Sequence, residues 1–323
     1  MKQDNTAARN AEHKEKKMDV LLIAGGWSPE REISLLGAKG IEKVLSERGH
    51  TVTFFNLSDG FEALIPLAEK AEVAFINLHG SPGEDGLVQA LLSRLNCPYQ
   101  GSNAEGSFLA LHKYAAKSLF QAHGLNTVKG MFLPAMPENL EEIEAKLSYP
   151  MFVKSNNGGS SIHLYRVTDR QELKNALETM FGIGLEILIE ELAEGKEVTC
   201  GVLDGKALPP VLIESKAEFF DYTNKYSADG AAEICPAPIG TEATRKIQEM
   251  ALKAHNALGL SDYSRSDFIL TKEGIPYILE VNTLPGMTSA SLVPKEAKEI
   301  GLSFGELIEK LLELAKKKKN GYR

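Results

Sequence analysis

Two acidic residues and an amide near the C-terminus are spaced to meet. Tyr263-Ser264-Arg265-Ser266-Asp267-Phe268-Ile269-Leu270 and Ile275-Pro276-Tyr277-Ile278-Leu279-Glu280-Val281-Asn282 read as two strands joined by a turn at Lys272-Glu273-Gly274. With the loop centred on Glu273-Gly274, counting back along both strands places Asp267 opposite Glu280 and Arg265 opposite Asn282. All four then share one face, because strand side chains alternate. Cross-strand neighbours sit about 5 Å apart at Cβ, so two carboxylates there repel unless a cation lies between them. An all-oxygen donor set suits Mg2+ or Mn2+ rather than zinc. The hairpin is readable as a metal platform for a polyphosphate, or as a surface hairpin with solvated charges.

Lys154-Ser155-Asn156-Asn157-Gly158-Gly159-Ser160-Ser161 lies between two strand patterns. Small residues there let backbone amides curl around an anion while Lys154 adds a point charge, although a plain hairpin turn also accounts for the glycines. Neither the P-loop spacing nor the dinucleotide fingerprint is present, since both open a helix. Ser28-Pro29-Glu30 opens the first helix, with Ser28 as N-cap, Pro29 in the first helical position and Glu30 facing the dipole. Glu30 needs no further purpose, yet it follows the first strand on the side where open α/β sheets bind ligands, and His79 holds the equivalent strand tip. The polar, aromatic loop Phe219-Phe220-Asp221-Tyr222-Thr223-Asn224-Lys225-Tyr226 is long enough to cover such a site.

The elements that must position these groups follow from periodicity. Val20-Leu21-Leu22-Ile23-Ala24 is a buried strand, followed by a helix over 29–48 and a strand over 51–56, a βαβ opening with parallel strands. A strand over 73–78 and a helix over 85–95 complete an α/β unit that ends near residue 103. Helices are expected over 107–123 and 140–146, strands over 150–154 and 162–167, then strands over 186–191 and 197–203 around a short glycine-containing link. A loop over 217–232 leads to a helix over 241–258, and a helix over 304–316 closes the chain, its lysines at 316–319 a solvated end. The expected division is an arm over 1–17, an N-terminal unit over 18–103, a central unit over 104–192 and a C-terminal unit over 193–323.

A chain of 323 residues fits two or three domains. The net charge of −8 gives no general attraction to nucleic acid or an anionic membrane, so an anionic ligand needs local cations. Cys97, Cys200 and Cys235 have no metal spacing and suit a reducing cytoplasm. No apolar run reaches the roughly 18 residues of a membrane span, and the first 17 residues lack a signal-peptide core. A cytoplasmic location is expected.

Taken in order, Gly25-Gly26-x-Ser28-x-Glu30-Arg31-Glu32-x-Ser34, His79-Gly80-x-x-Gly83-Glu84-Asp85-Gly86, Tyr99-x-Gly101-Ser102, Lys154 with Gly159-Ser160-Ser161, Tyr222-x-x-Lys225-Tyr226, and Glu280-x-Asn282-x-x-Pro285-Gly286-Met287-Thr288 resemble the D-alanine:D-alanine ligases of the ATP-grasp superfamily. The resemblance spans residues 19–315. It implies an ATP-grasp fold of α/β and α+β domains, with an N-terminal parallel-sheet domain and ATP between the central and C-terminal ones. It also implies ADP-forming ligation of two D-alanines for peptidoglycan, a homodimer, and two Mg2+ or Mn2+ ions on Asp267, Glu280 and Asn282. Lys113, Lys154 and Lys225 resemble the phosphate-binding lysines, with Ser160 and Ser161 in the phosphate loop. Glu190, Glu191, Leu192 and Glu197 resemble the adenine and ribose segment. Glu30 and His79 resemble the first-alanine pocket, and Glu30, Ser160 and Tyr226 its bonded trio. Arg265 and the Gly286 amide resemble the oxyanion donors, and Ser291 the contact for the second carboxylate.

The resemblance implies that one D-alanine carboxylate attacks the γ-phosphate to form an acyl phosphate, which the second amine then attacks. Three residues depart from the family pattern. Trp27 replaces a small or polar residue and could narrow the first pocket, His112 replaces an aspartate, and Ile162-His163 replaces a valine-glycine pair and could crowd the phosphate loop. The alternatives are a ligase with D-serine, D-lactate or another second substrate, and a non-catalytic nucleotide-binding paralogue.

Overall fold

Val20 to Ala24 carry apolar side chains on both strand faces, which requires cover on both sides of the sheet they enter. In the computed structural model, which describes residues 17–159, 162–214 and 232–318, they form β1 (Asp19–Ala24). This strand lies between β2 (Thr51–Asn56) and β3 (Val73–Asn77), and both pairs are parallel. Helix α1 (Arg31–Glu47) buries Ile41 and Leu45 against this sheet, while α2 (Phe61–Ala68) and α3 (Leu87–Arg94) complete the crossovers. The expected start of the first helix moves by two residues. Ser28 Oγ accepts from the Glu30 amide across a preceding turn, and Glu30 itself is the N-cap residue.

The expected helix over 107–123 is two helices, α4 (Ala104–Leu111) and α5 (Lys113–Ala122), because His112 between them is extended at φ −81° and ψ 91°. Strands β4 (Gly130–Leu133), β5 (Met151–Ser155), β6 (Leu164–Val167) and β7 (Ile187–Glu191) form an antiparallel sheet in the order β4-β7-β5-β6. Helices α6 (Glu141–Lys146) and α7 (Arg170–Gly182) share its core, with Leu173, Ala176, Leu177 and Met180 at helical spacing.

A second antiparallel sheet runs β11-β10-β8-β12-β13, built from β8 (Lys196–Leu203), β10 (Val211–Glu214), β11 (Ala232–Ile234), β12 (Tyr263–Leu270) and β13 (Pro276–Asn282), with β9 (Lys206–Ala207) on β8. Strands β9 to β11 have no counterpart in the sequence expectation, since each is at most four residues long. Helix α8 (Thr241–Ala257) covers the sheet with Ile247, Ala251 and Ala254 at i, i+4 and i+7. Phe268 is fully buried beneath it, a contribution of about 1.5–3 kcal/mol.

The three cores do not follow the divisions at 103 and 192. Ala110, Ala116 and Phe120 of α4 and α5 pack with α8 in the core of the second antiparallel sheet. Helices α9 (Leu292–Glu299) and α10 (Phe304–Lys317) return to the parallel sheet, where α10 packs beside α1 and Val293, Ile308, Leu311 and Leu312 join its core. The parallel sheet needs cover, and α10 extends the cover given by α1 from the far end of the chain. A capping box of Ser303 and Glu306 starts α10. The closing lysines are not all solvated: Lys318 Nζ lies 2.6 Å from Asp262 Oδ2 and 3.2 Å from the Tyr99 carbonyl. Among the described residues, no helix is long and apolar enough to cross a membrane. The N-terminal arm, Ser160, Ser161 and the covering loop with Lys225 and Tyr226 lie outside the described residues.

Candidate functional site

The hairpin register agrees with the expectation at the site and differs at the turn. Arg265 pairs with Asn282 and Asp267 with Glu280, but Phe268 pairs with Ile278 and Leu270 with Pro276. The loop is therefore one residue longer than a turn centred on Glu273-Gly274 allows, and a bulge at Leu279 restores the register before Glu280. Such a bulge bends the strand and re-aims the next side chain.

Asp267 is 9% exposed and accepts four hydrogen bonds. Arg265 donates two, from Nε at 2.9 Å and Nη2 at 2.7 Å, while Thr199 Oγ1 donates at 2.6 Å and Asn282 Nδ2 at 3.0 Å. Thr199 stands opposite Asp267 on β8, so the whole cradle comes from one sheet. Glu280 faces outward from it, with Oε2 3.1 Å from Lys113 Nζ.

Lys113 opens α5. Its Nζ also donates to the Gly158 carbonyl at 2.6 Å. His112 makes no side-chain cap for α5. Asn156 of the glycine-rich loop does so instead, accepting from the Lys113 amide at 2.9 Å through its carbonyl and from the Tyr114 amide at 2.9 Å through Oδ1. The aspartate that the family has at 112 is a preferred N-cap residue; here the cap comes from across the cleft.

On the central sheet, Lys154 Nζ lies 2.5 Å from Glu190 Oε2, and Lys117 of α5 pairs with Glu190 Oε1. Burial alone would lower the Lys154 ammonium, but Glu190 and Glu280 hold it above its ordinary range. Burial would raise the Glu190 carboxyl, and Lys154 and Lys117 hold it down. The Glu191 side chain takes the opposite direction, toward Lys129 Nζ at 3.6 Å and the Ser148 amide at 2.9 Å. Leu192 donates its amide to the Pro150 carbonyl, and Glu197 lies near the start of β8, opposite Ile269.

The parallel-sheet unit reaches the same cleft. A Cβ on Gly159 would lie 3.3 Å from Glu30 Oε2, and one on Gly80, 3.8 Å, so Glu30 sits between the glycine-rich loop and the His79-Gly80 tip. His79 is buried. The residue that sequence reasoning passed over is Glu84. Its Oε2 accepts from the Gly80 amide at 2.8 Å and its Oε1 from the Leu284 amide at 3.2 Å, tying the tip to the segment that carries Gly286. Burial, and then the nearby Glu30 charge, push the Glu84 carboxyl up to about 7. Its motif position after His79-Gly80 was the available signal. Glu84, Lys113, Gly158, Gly159, Glu280 and Asn282 line one narrow cleft.

Ser291 is the N-cap residue of α9, and its Oγ accepts from the Thr288 amide at 3.0 Å. A Cβ on Gly286 would stand 3.2 Å from that oxygen. Trp27 is 55% exposed with its ring edge-on to Phe61 at 5.9 Å. His163 adopts φ +58°, the left-handed backbone that a glycine takes freely. Of Glu30, Ser160 and Tyr226, only Glu30 lies among the described residues.

Among the described residues, no three His, Cys, Asp or Glu side chains converge as a metal cluster. The platform offers two carboxylates and an amide, an oxygen-only set that fits a hard divalent ion. The arrangement can hold a polyphosphate between a rigid acidic strand pair and a group of lysines.

The chain is similar to known proteins over most of its length. Residues 119–313 match the family described as D-ala D-ala ligase C-terminus. The D-alanine–D-alanine ligase of Lawsonia intracellularis is 55% identical over 298 residues, 92% of this chain and 98% of that protein. The crystal structure of the Bacillus anthracis D-alanine–D-alanine ligase complexed with ATP superposes with a TM-score of 0.83 at 35% identity, covering 93% of this chain and 97% of that one. The VanG D-Ala:D-Ser ligase of Enterococcus faecalis gives a TM-score of 0.82 at 31% identity, covering 93% and 100%.

Proposed function

The chain belongs to the D-alanine–D-alanine ligase family of the ATP-grasp superfamily, and on that premise we propose how its residues divide the joining of two D-alanines. The reaction is ADP-forming ligation for peptidoglycan synthesis. A carboxylate is a poor acyl donor, so one D-alanine first takes the γ-phosphoryl group of ATP and becomes an acyl phosphate. The second amine then displaces phosphate.

Asp267, Glu280 and Asn282 would hold two Mg2+ or Mn2+ ions. Bound there, the ions would neutralise charge on the transferred phosphoryl group. The pairing of Asp267 with Glu280 on adjacent strands carries this assignment. Lys113 and Lys154 hold the phosphates together with Lys225, Ser160 and Ser161. Both described lysines rest on carboxylates, Lys113 on Glu280 across the cleft and Lys154 on Glu190 of its own sheet, which supports their exchange onto a phosphate. Glu190 and Glu197 serve adenine and ribose with the backbone of Glu191 and Leu192, the Glu191 side chain being turned away.

Glu30 and His79 bind the first D-alanine, and Glu30 forms a trio with Ser160 and Tyr226. Arg265 and the Gly286 amide face the tetrahedral oxyanion, and Ser291 the second carboxylate. Removing one such oxyanion donor typically costs about 2.7–4 kcal/mol of barrier. The working protein is a homodimer in the cytoplasm, built on the three cores described above. The free cysteines support that location, and light scattering tests the dimer.

The deciding experiment is ADP release with a panel of D-amino and D-hydroxy acids. Turnover with D-alanine alone supports the reading. A clear preference for D-serine or D-lactate as second substrate would replace it, and nucleotide binding without turnover would favour a non-catalytic relative.

A further inference from the structure

Glu190 is held by two buried lysines, one on each oxygen, and the proposed reaction needs only one of them at the nucleotide. Lys117 and Glu190 have side chains 6% and 4% exposed, and Lys154 15%. Lys117 follows Lys113 by four residues, so α5 presents both toward the cleft: Lys113 to Glu280 and Lys117 to Glu190. Gly130 makes room for the pair, since a Cβ there would lie 2.9 Å from Glu190 Cγ and 3.6 Å from Lys117 Cε.

Lys154 alone would neutralise Glu190. A second ammonium leaves the group of Lys113, Lys117, Lys154, Glu190 and Glu280 with one positive charge in excess. Buried surplus charge is costly unless a further anion arrives. If Lys154 turned to a nucleotide phosphate with no Lys117 present, Glu190 would become a buried anion without a counter-charge, and truncating one partner of such a pair is strongly unfavourable for that reason.

We propose that Lys117 is a positioning residue, the fixed counter-ion that keeps Glu190 charged and in place while Lys154 transfers its ammonium from Glu190 to the phosphates of a bound nucleotide. This rests on the ATP-binding reading above. Lys117 itself touches neither nucleotide nor metal; it acts through Glu190.

The test compares Lys117→Met, Glu190→Gln and the double variant by steady-state kinetics and by titration with a fluorescent ATP analogue. Lys117→Met is expected to raise KM for ATP tenfold or more, with KM for D-alanine unchanged and kcat within threefold. An unchanged KM for ATP overturns the proposal, as does an equal rise in both KM values, which a merely structural role would give. The single variant leaves an unpaired buried anion and is the one at risk of not folding. The comparison of Glu190→Gln with the double variant avoids this, because neither carries that anion. Loss of Lys117 should then change ATP affinity by less than twofold, and a fivefold or greater loss in the double variant overturns the proposal. Nucleotide binding by the unaltered protein without D-alanine turnover would count against the ligase reading and leave this test intact.

Discussion

The acids of the β12–β13 hairpin and the lysines facing them are held by different means. Every bond to Asp267 comes from its own sheet: Arg265 on the same strand, Asn282 on β13 and Thr199 on β8. The lysines are gathered from α5 and β5: Lys113 meets Glu280, while Lys117 and Lys154 share Glu190 on β7, which pairs with β5 in the other antiparallel sheet. The acids, and Lys154 beside Glu190 on paired strands β5 and β7, are thus placed by strand register, whereas the lysines of α5 are placed by docking, through Asn156 on the start of α5 and Lys113 on Glu280. A register cannot shift by less than a residue, but a docked sheet can tilt. The difference separates the rigid part of the site from the part free to follow a nucleotide.

The largest expected effect tests the rigid half. Glu280→Gln should abolish metal-dependent turnover while changing unfolding free energy by no more than about 1 kcal/mol, as for other substitutions outside a core, read by ADP release and denaturant titration. Normal activity in that variant removes the hairpin from the chemistry. Next, Arg265→Met should destabilise the fold by about 3 kcal/mol, because it strips a buried carboxylate of its counter-ion, and should lower kcat by about a hundredfold. Equal stability would mean that Asp267 does not depend on its own sheet.

A third test reaches the support beneath that sheet. Glu296 of α9 reaches β8, accepting from the Gly201 amide at 2.8 Å while its other oxygen has no hydrogen-bond partner among the described residues. Burial pushes its carboxyl up to about 8. The folded protein therefore keeps a proton that the unfolded chain releases near its ordinary value of 4.5. Its contribution to stability falls as pH rises from there to about 8. Glu296→Gln should flatten that decline in melting temperature, and an unchanged slope would assign it elsewhere, to Glu84 or Asp262, which burial also raises.

Smaller effects sharpen the docked half. Asn156→Ala removes the side-chain cap borrowed by α5 and should cost about 1 kcal/mol, raising KM for ATP but not the stability of an isolated hairpin contact such as Arg265 with Asp267. Smallest is His163→Gly, which should stabilise by about 1 kcal/mol or less by releasing a left-handed non-glycine residue, read by thermal unfolding.

Much of the site was legible in the chain because its acidic half is local. Asp267 and Glu280 are thirteen positions apart, joined by a turn, and alternation alone puts them on one face. Even so, the turn was one residue longer than expected, and the bulge at Leu279 compensated. His112 broke an apparently continuous helix because the packing of Asn156 against α5 begins a new one there. Three short strands left no readable period.

By itself the sequence determined the parallel first sheet, the acidic hairpin with its facing pairs, and the family through motifs that stay in order along the chain. Tertiary structure decided what those motifs touch. Glu84 reaches Leu284 across 200 positions, Lys117 reaches Glu190 across 73, and α10 returns to close the first sheet. Periodicity records which face of a segment is buried, but not which distant segment covers it. That choice is made by the packing of whole sheets and helices against one another, where a carboxylate and an ammonium far apart in the chain come to share one buried space.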